Sequence, residues 1–107
     1  MDNDCVLVWT TIGKTADGRD MASILVTERL AACVNVLPEM ESFYRWKGQV
    51  ETDHERQLVM KTTAGRVPAL RARVHDLHDY EVPEFIVIPI VGGSEAYLNW
   101  IRESTAG

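Results

Sequence analysis

Apolar positions along the chain alternate in some stretches and recur at helical spacing in others. Residues 5–12, CVLVWTTI, form a β-branched apolar run, the pattern of a strand covered on both faces. Turn residues follow in GKTADGRD, and from about Ala16 to Leu30 the period lengthens to that of a helix. Met21, Ile24, Leu25 and Glu28 trace one stripe, with Ala22, Val26 and Leu30 beside it; Gly18 weakens only the first turn. The chain then reads extended again. Val34 and Val36 alternate with Asn35, Pro38 interrupts, and Tyr44 and Trp46 resume beyond it. Proline has no N–H to give to a ladder, so Pro38 predicts a bend, a bulge or an edge position. Lys47-Gly48 reads as a hairpin turn, and Val50 to Thr63 as the returning strand, polar first and apolar from Leu58 to Met60. In AGRVPALRARVHDLHD, Val67, Leu70, Val74 and Leu77 share one face of a second helix, with Pro68 in its first turn, where a missing N–H costs nothing. FIVIPIV, residues 85–91, is a last strand, with Pro89 demoting part of it to an edge or bulge. Ser94 caps a terminal helix carrying Tyr97, Leu98 and Ile101 on one side.

The order is β-α-β-β-α-β-α. Two split βαβ units predict an α+β, ferredoxin-like domain spanning residues 1–107: a four-stranded antiparallel sheet with both main helices on one face, and an extra C-terminal helix. One feature exceeds a lone domain. At about 3.3 Å per residue, the strand from Val50 to Thr63 would span roughly 45 Å, whereas a chain of this size folds to a body about 35 Å across. The hairpin 40–57 should therefore project. Phe43, Tyr44 and Trp46 on its exposed strands invite pairing with another chain, so an oligomerisation arm is expected, in a dimer or trimer.

Composition narrows the function classes. At 46% hydrophobic and 25% charged, the chain has the make-up of a globular domain. Eleven basic against sixteen acidic residues give a net charge of −5, which disfavours nucleic acid and anionic membranes as partners. The acidic start MDNDC and its short apolar stretch do not make a signal peptide, and no apolar run approaches the roughly 20 residues that span a bilayer. A cytoplasmic location is expected. Cys5 and Cys33 have no metal-binding spacing and sit among apolar neighbours.

Five stretches, ERLAACVNVLP at 28–38, YRWKGQVE at 44–51, LVMKTT at 58–63, YEVPE at 80–84 and YLNWI at 97–101, resemble the CutA family of divalent-cation tolerance proteins. The resemblance runs from Val6 to Ile101. It implies a ferredoxin-like fold assembled into a tight homotrimer through interlocking hairpins, a role in tolerance of copper and other divalent ions, and weak binding of Cu(II). No catalysed reaction is attached to the family, so an enzyme is not expected. Animal relatives are associated with membrane anchoring of acetylcholinesterase. Where the family commonly reads His-Pro-Tyr-Glu, this chain has HDYE, with Asp79 in place of the proline. Leu77 and Trp9 stand where some relatives carry a second histidine and a cysteine. Of the copper ligands proposed in bacterial relatives, only His78 carries over.

The densest chemistry lies in HDLHDYEVPE, residues 75–84. His75 and His78, three apart at the end of a helix, could share one face, and with Glu84 they form a candidate Cu(II) or Zn(II) ligand set. The bland reading is that both histidines simply complement the helix C-terminus. Lys61, in an apolar strand, either snorkels to solvent or lines a polar pocket. With Tyr80 and Glu81 it could border an intersubunit cleft of the kind PII signalling trimers use for small ligands, an analogy of fold alone. Glu81 and Glu84 flank Val82-Pro83 and need not face one cavity. No organic cofactor is expected. No nucleophile stands beside a base, and Gly92-Gly93-Ser94 reads as a helix cap rather than an anion site.

Overall fold

The computed structural model describes residues 4–13 and 18–107. Strand β1 (Cys5–Gly13) leads to helix α1 (Gly18–Thr27), β2 (Cys33–Val36), β3 (Met40–Trp46) and β4 (Gln49–Thr63). A single 3-10 turn then precedes helix α2 (Val67–Leu77), followed by β5 (Ile86–Pro89) and α3 (Glu95–Thr105). The expected start of the first helix at Ala16, and most of the turn before it, lie outside the described residues. All strand pairs are antiparallel, in the order β2-β4-β1-β5, with β3 also on β4. This is the expected ferredoxin-like arrangement with five strands rather than four, because the second strand is cut in two at Pro38.

The cut is a bulge, and it reverses the facing of side chains. Val36 pairs with Leu58, and Met40 pairs with Glu55. Three residues (37–39) therefore oppose two (56–57). The Leu37 N–H still donates to the Gln57 carbonyl at 2.9 Å, so pairing carries on up to the proline. An extra residue on one strand sends every later side chain to the opposite face. Val34 and Val36 thus lie on the helix side of the sheet, whereas Met40, Ser42, Tyr44 and Trp46 share the other side with Asp53, Glu55 and Gln57.

The main core lies between the sheet and helices α1 and α2. Val8, Leu58, Met60, Leu25, Leu70 and Val74 are fully enclosed there, each such burial contributing about 1.5–3 kcal/mol. α1 ends on Arg29 at φ 61°, with Leu30 N–H bonding to the Leu25 carbonyl and Arg29 N–H to that of Val26. That Schellman closure turns Leu30 back onto Leu25 in the core. α3 covers one end of the opposite sheet face, where Ile101 meets Cys5 and Ala32. Arg102 Nε, bonding Asp4 Oδ1 at 2.8 Å, ties that helix to the start of β1. Ser94 accepts from the Tyr97 N–H at 3.3 Å, as a helix cap does.

The arm projects as its length requires. The long axis of the subunit is 45 Å against 25 and 24 Å for the others. From Phe43 to His54 every residue is exposed, and from Glu55 onward every position of β4 is buried or half-buried. The hairpin does not fold back over its own domain. Its tip is a two-residue turn with Lys47 at φ 52° and Gly48 at φ 81°, the doubly left-handed geometry that matches the twist of a hairpin.

Truncating Leu70 to alanine leaves a cavity under the sheet and should cost about 2–5 kcal/mol. Urea denaturation measures this, and a loss below about 1 kcal/mol would be inconsistent with Leu70 sealing the core.

Candidate acidic cleft

Beyond the bulge, the β3–β4 hairpin presents one polar and aromatic face, and the segment leaving α2 crosses its base. The two enclose a cleft of about 790 Å³. Tyr44, Trp46, Met40, Val82 and Pro83 give it aromatic and apolar walls. Asp53, Glu55, Asp79, Glu81 and Glu84 give it five carboxylates, and among the described residues no lysine, arginine or histidine lines it.

Three hydrogen bonds pin the joint 78–84 to the sheet. β5 pairs only with Val6 to Trp9, so the Thr11 carbonyl on the outer edge of β1 lies beyond the reach of that strand. His78 Nε2 donates to it at 2.5 Å. The Tyr80 hydroxyl donates to Glu55 Oε2 at 2.8 Å. Gln57 Nε2, nearly buried, reaches the Thr10 carbonyl at 2.8 Å and Glu84 Oε2 at 2.9 Å, bridging β1 to the joint. Further out on the arm, the Tyr44 hydroxyl donates to Asp53 Oδ2.

These bonds dictate protonation. A phenol that gives its proton to a carboxylate resists losing it, because the phenolate would face an anion. The bond to Asp53 therefore pushes Tyr44 up to about 12. Tyr80 is raised as well, first by burial and then by its bond to Glu55.

The expected site residues separate. His78 is a joint, not an open ligand. Its side chain is 1% exposed, Nε2 serves Thr11, and Nδ1 accepts from the Tyr80 N–H at 3.1 Å. That pattern is the neutral tautomer with both nitrogens in use. Asp79 Oδ1, at 3.7 Å from Nδ1, is too far for a hydrogen bond. His75 and His78 do not share a face, because α2 ends at Leu77 and His78 is already extended, at φ −95° and ψ 143°. His75 lines a separate hollow of about 620 Å³ between α2 and β5, with Arg71, Phe85 and Val87. The set His75, His78 and Glu84 is therefore not assembled within the subunit. Among the described residues, no group of three or more His, Cys, Asp or Glu side chains converges as metal ligands.

Within the subunit, Tyr80 and Glu81 line this cleft and Lys61 stands apart from it. Lys61 pairs with Leu7, six residues along β4 from Glu55, or about 20 Å away. Its ammonium lies 5.8 Å from the Tyr97 ring centroid and 3.9 Å from Cys33 Sγ. Of the arm aromatics, Tyr44 and Trp46 face the cleft, and Phe43, at 68% exposure, stands largely in solvent. Asp53, Glu55 and Gln57 were not expected in a site. Period-2 spacing puts the three on a single face, but residues 51–57 are polar throughout, so the pattern does not single that face out.

Comparison with known proteins follows the same outline. A family model described as CutA1 divalent ion tolerance protein matches residues 6–104. The chain is 46% identical over 99 residues to the divalent-cation tolerance protein CutA of Thermus thermophilus, covering 92% of this chain and 96% of that one. It is 44% identical over 87 residues to human protein CutA, covering 81% of this chain and 49% of that protein. It spans 55% of the chloroplastic CutA of Arabidopsis thaliana, so the plant and animal relatives are about twice its matched length. The solved structure from Thermus thermophilus superposes with a TM-score of 0.92 at 45% identity, covering 95% of this chain and 99% of that one. CutA1 from Oryza sativa gives 0.90 at 42% identity, covering 94% and 93%.

In a phenolate absorbance titration, Tyr44 should ionise near 12, about two units above a free phenol. Because its folded value is raised, the stabilisation from the Tyr44–Asp53 bond is fully present below pH 10 and lost as pH rises through about 12. Asp53→Asn should return that ionisation toward the ordinary value; an unchanged curve would mean the bond is not formed in solution.

Proposed function

The chain belongs to the CutA1 divalent ion tolerance family, and from that premise we propose that it is a homotrimer that handles divalent cations, holding Cu(II) or a similar ion weakly in the acidic cleft. The observation that carries this reading is the cleft's composition: five carboxylates with no basic side chain among the described residues. Clustered carboxylates in a partly enclosed site repel one another, and a cation relieves that repulsion. Glu81 and Glu84, beside Asp53 and Glu55, are proposed to attract the ion by their summed charge rather than as a converged ligand set. Carboxylate oxygens suit hard divalent ions, and with few nitrogen donors the affinity for copper stays modest. His78 acts by holding Tyr80 and the joint in place.

The trimer is supported by the arm. Twelve consecutive exposed positions, 43–54, carry three aromatic side chains that no contact within the subunit covers fully. β5 and β3 each leave one edge unpaired among the described residues, and such edges accept a strand from another copy. The family is named for tolerance rather than catalysis, and a non-catalytic role for the single domain is part of the proposal. Among the described residues, no helix is long and apolar enough to cross a membrane. A cytoplasmic location is part of the same proposal. A relative from Archaeoglobus fulgidus, 30% identical, is described as periplasmic.

Calorimetric titration of Cu(II) and Zn(II) tests the site. Saturable binding should weaken about tenfold or more in the pair Glu81→Gln and Glu84→Gln, and binding that the pair leaves unchanged would overturn the cleft assignment. Light scattering tests the assembly: a trimer is expected, and Trp46→Ala should loosen it. A monomer in the unaltered protein would remove the arm's proposed role.

A further inference from the structure

Both cysteines of the chain are free thiols, and their surroundings set them apart. Cys5 is fully buried, with its S–H aimed at the Leu98 carbonyl 3.7 Å away, and burial pushes its pKa up. A thiol enclosed in this way stays protonated and inert. Cys33 is half-buried and stands directly across from Lys61 in the β2–β4 pairing. Lys61 Nζ lies 3.9 Å from Cys33 Sγ. The Ala32 N–H bonds the Lys61 carbonyl at 2.8 Å, so the backbones that carry the two side chains are held in register. The Lys61 ammonium is also 5.8 Å from the Tyr97 ring centroid, and among the described residues no carboxylate lies within ion-pair distance of it. A lysine nitrogen that no carboxylate occupies is thus placed against a sulfur that small oxidants can reach. The pair sits about 20 Å along β4 from Glu55, away from the arm and from the β3 and β5 edges proposed for assembly.

We propose that Cys33 and Lys61 form a reversible redox link, a sulfur–nitrogen bond that closes when a hydroperoxide oxidises the thiol. In the first step the Cys33 sulfur attacks the peroxide and the O–O bond breaks. One oxygen passes to sulfur as Cys33–SOH, the other leaves as water or an alcohol, and sulfur gives up two electrons to the peroxide. In the second step the Lys61 nitrogen, its ammonium proton lost to solvent, attacks that sulfur. The S–O bond breaks, water leaves, and Cys33 S–NH–Lys61 remains. Sulfenic acids condense with thiols and with backbone nitrogens, and here the side-chain amine is the nitrogen at hand. No strand has to move, because the flexible four-carbon lysine stem closes the remaining gap by bond rotation. An amine tethered at contact distance outruns a second peroxide molecule arriving from solution. The link therefore spares Cys33 from sulfinic acid, which is irreversible, and a small thiol reopens it by attack on the sulfur. Closure also removes the positive charge beside Tyr97 and joins β2 to β4 covalently. This redox role stands apart from the cation-site reading of the cleft.

Hydrogen peroxide added to the intact protein, followed by digestion without reductant and mass spectrometry, tests this. The expected product joins the peptides that hold Cys33 and Lys61 and is two hydrogen atoms lighter than their sum. Dithiothreitol should return both peptides unmodified, and Cys5 should stay a thiol throughout. Lys61→Arg keeps the charge and removes the nucleophilic amine, so no link should form and Cys33 should run on to sulfinic acid, two oxygen atoms heavier. A Cys33 that peroxide leaves untouched would overturn the proposal. So would sulfinic acid forming as readily in the unaltered protein as in Lys61→Arg, or a disulfide through Cys33 between two copies in place of the link. The linked peptide is read in the unaltered protein, so the outcome does not depend on how the variant folds.

Discussion

One surplus residue at Pro38 decides what this molecule can present. Before the bulge, the second strand's alternation serves the core, with Val34 and Val36 under the helices. After it, the same alternation carries Tyr44 and Trp46 to the face where Glu55 and Gln57 emerge from β4. Had the register continued unbroken, Phe43 and Arg45 would stand on that face instead, and a cation would point into the acidic row. The bulge costs little in pairing, because Leu37 still donates to Gln57 and proline has no N–H to leave stranded. It converts a core strand into an arm with a chemically distinct inner surface.

The joint after α2 completes that surface. His78 leaves the helix in extended conformation and places its imidazole on the Thr11 carbonyl. Tyr80 and Glu84 then fall opposite Glu55 and Gln57. Each of these contacts runs from the joint to a strand residue on the open side of the sheet, so arm base and joint hold one another. Losing the imidazole would leave the Thr11 carbonyl and the Tyr80 N–H both unpaired, at about 1–3 kcal/mol for each buried group. Five carboxylates gathered this way would repel the arm from the joint if nothing shared their charge. Two phenol protons meet part of that demand within the subunit, and the proposed cation meets the rest.

Much of this could be read along the chain. The element order and both helical stripes were legible because buried positions follow a strict period. The projecting arm was legible because fourteen extended residues are too long for the body beneath them. Pro38 announced a bend, a bulge or an edge, and it is a bulge. What alternation could not show is the parity change across it, which depends on how residues 37–39 pair with 56 and 57. Spacing also misled at HDLHDYEVPE, where three residues apart meant a shared face only while the helix lasted. It lasts to Leu77, so His75 and His78 part company. Lys61 was grouped with Tyr80 and Glu81 at a cleft between subunits; within one subunit the length of β4 separates them. Membership of the CutA1 family was legible in five short motifs, although the motif histidine, His78, turns out to be a structural one in this subunit.

The central claim is that cations meet this protein where the inner face of the arm adjoins the joint after α2. Paramagnetic broadening of the amide spectrum by substoichiometric Mn(II) would test it most directly, since broadening falls steeply with distance from the ion. The account predicts loss of signals from residues 53–57 and 79–84, with those around His75's outward face and Lys61 remaining sharp. Broadening centred on His75 or Lys61, or spread evenly over the surface, would contradict it.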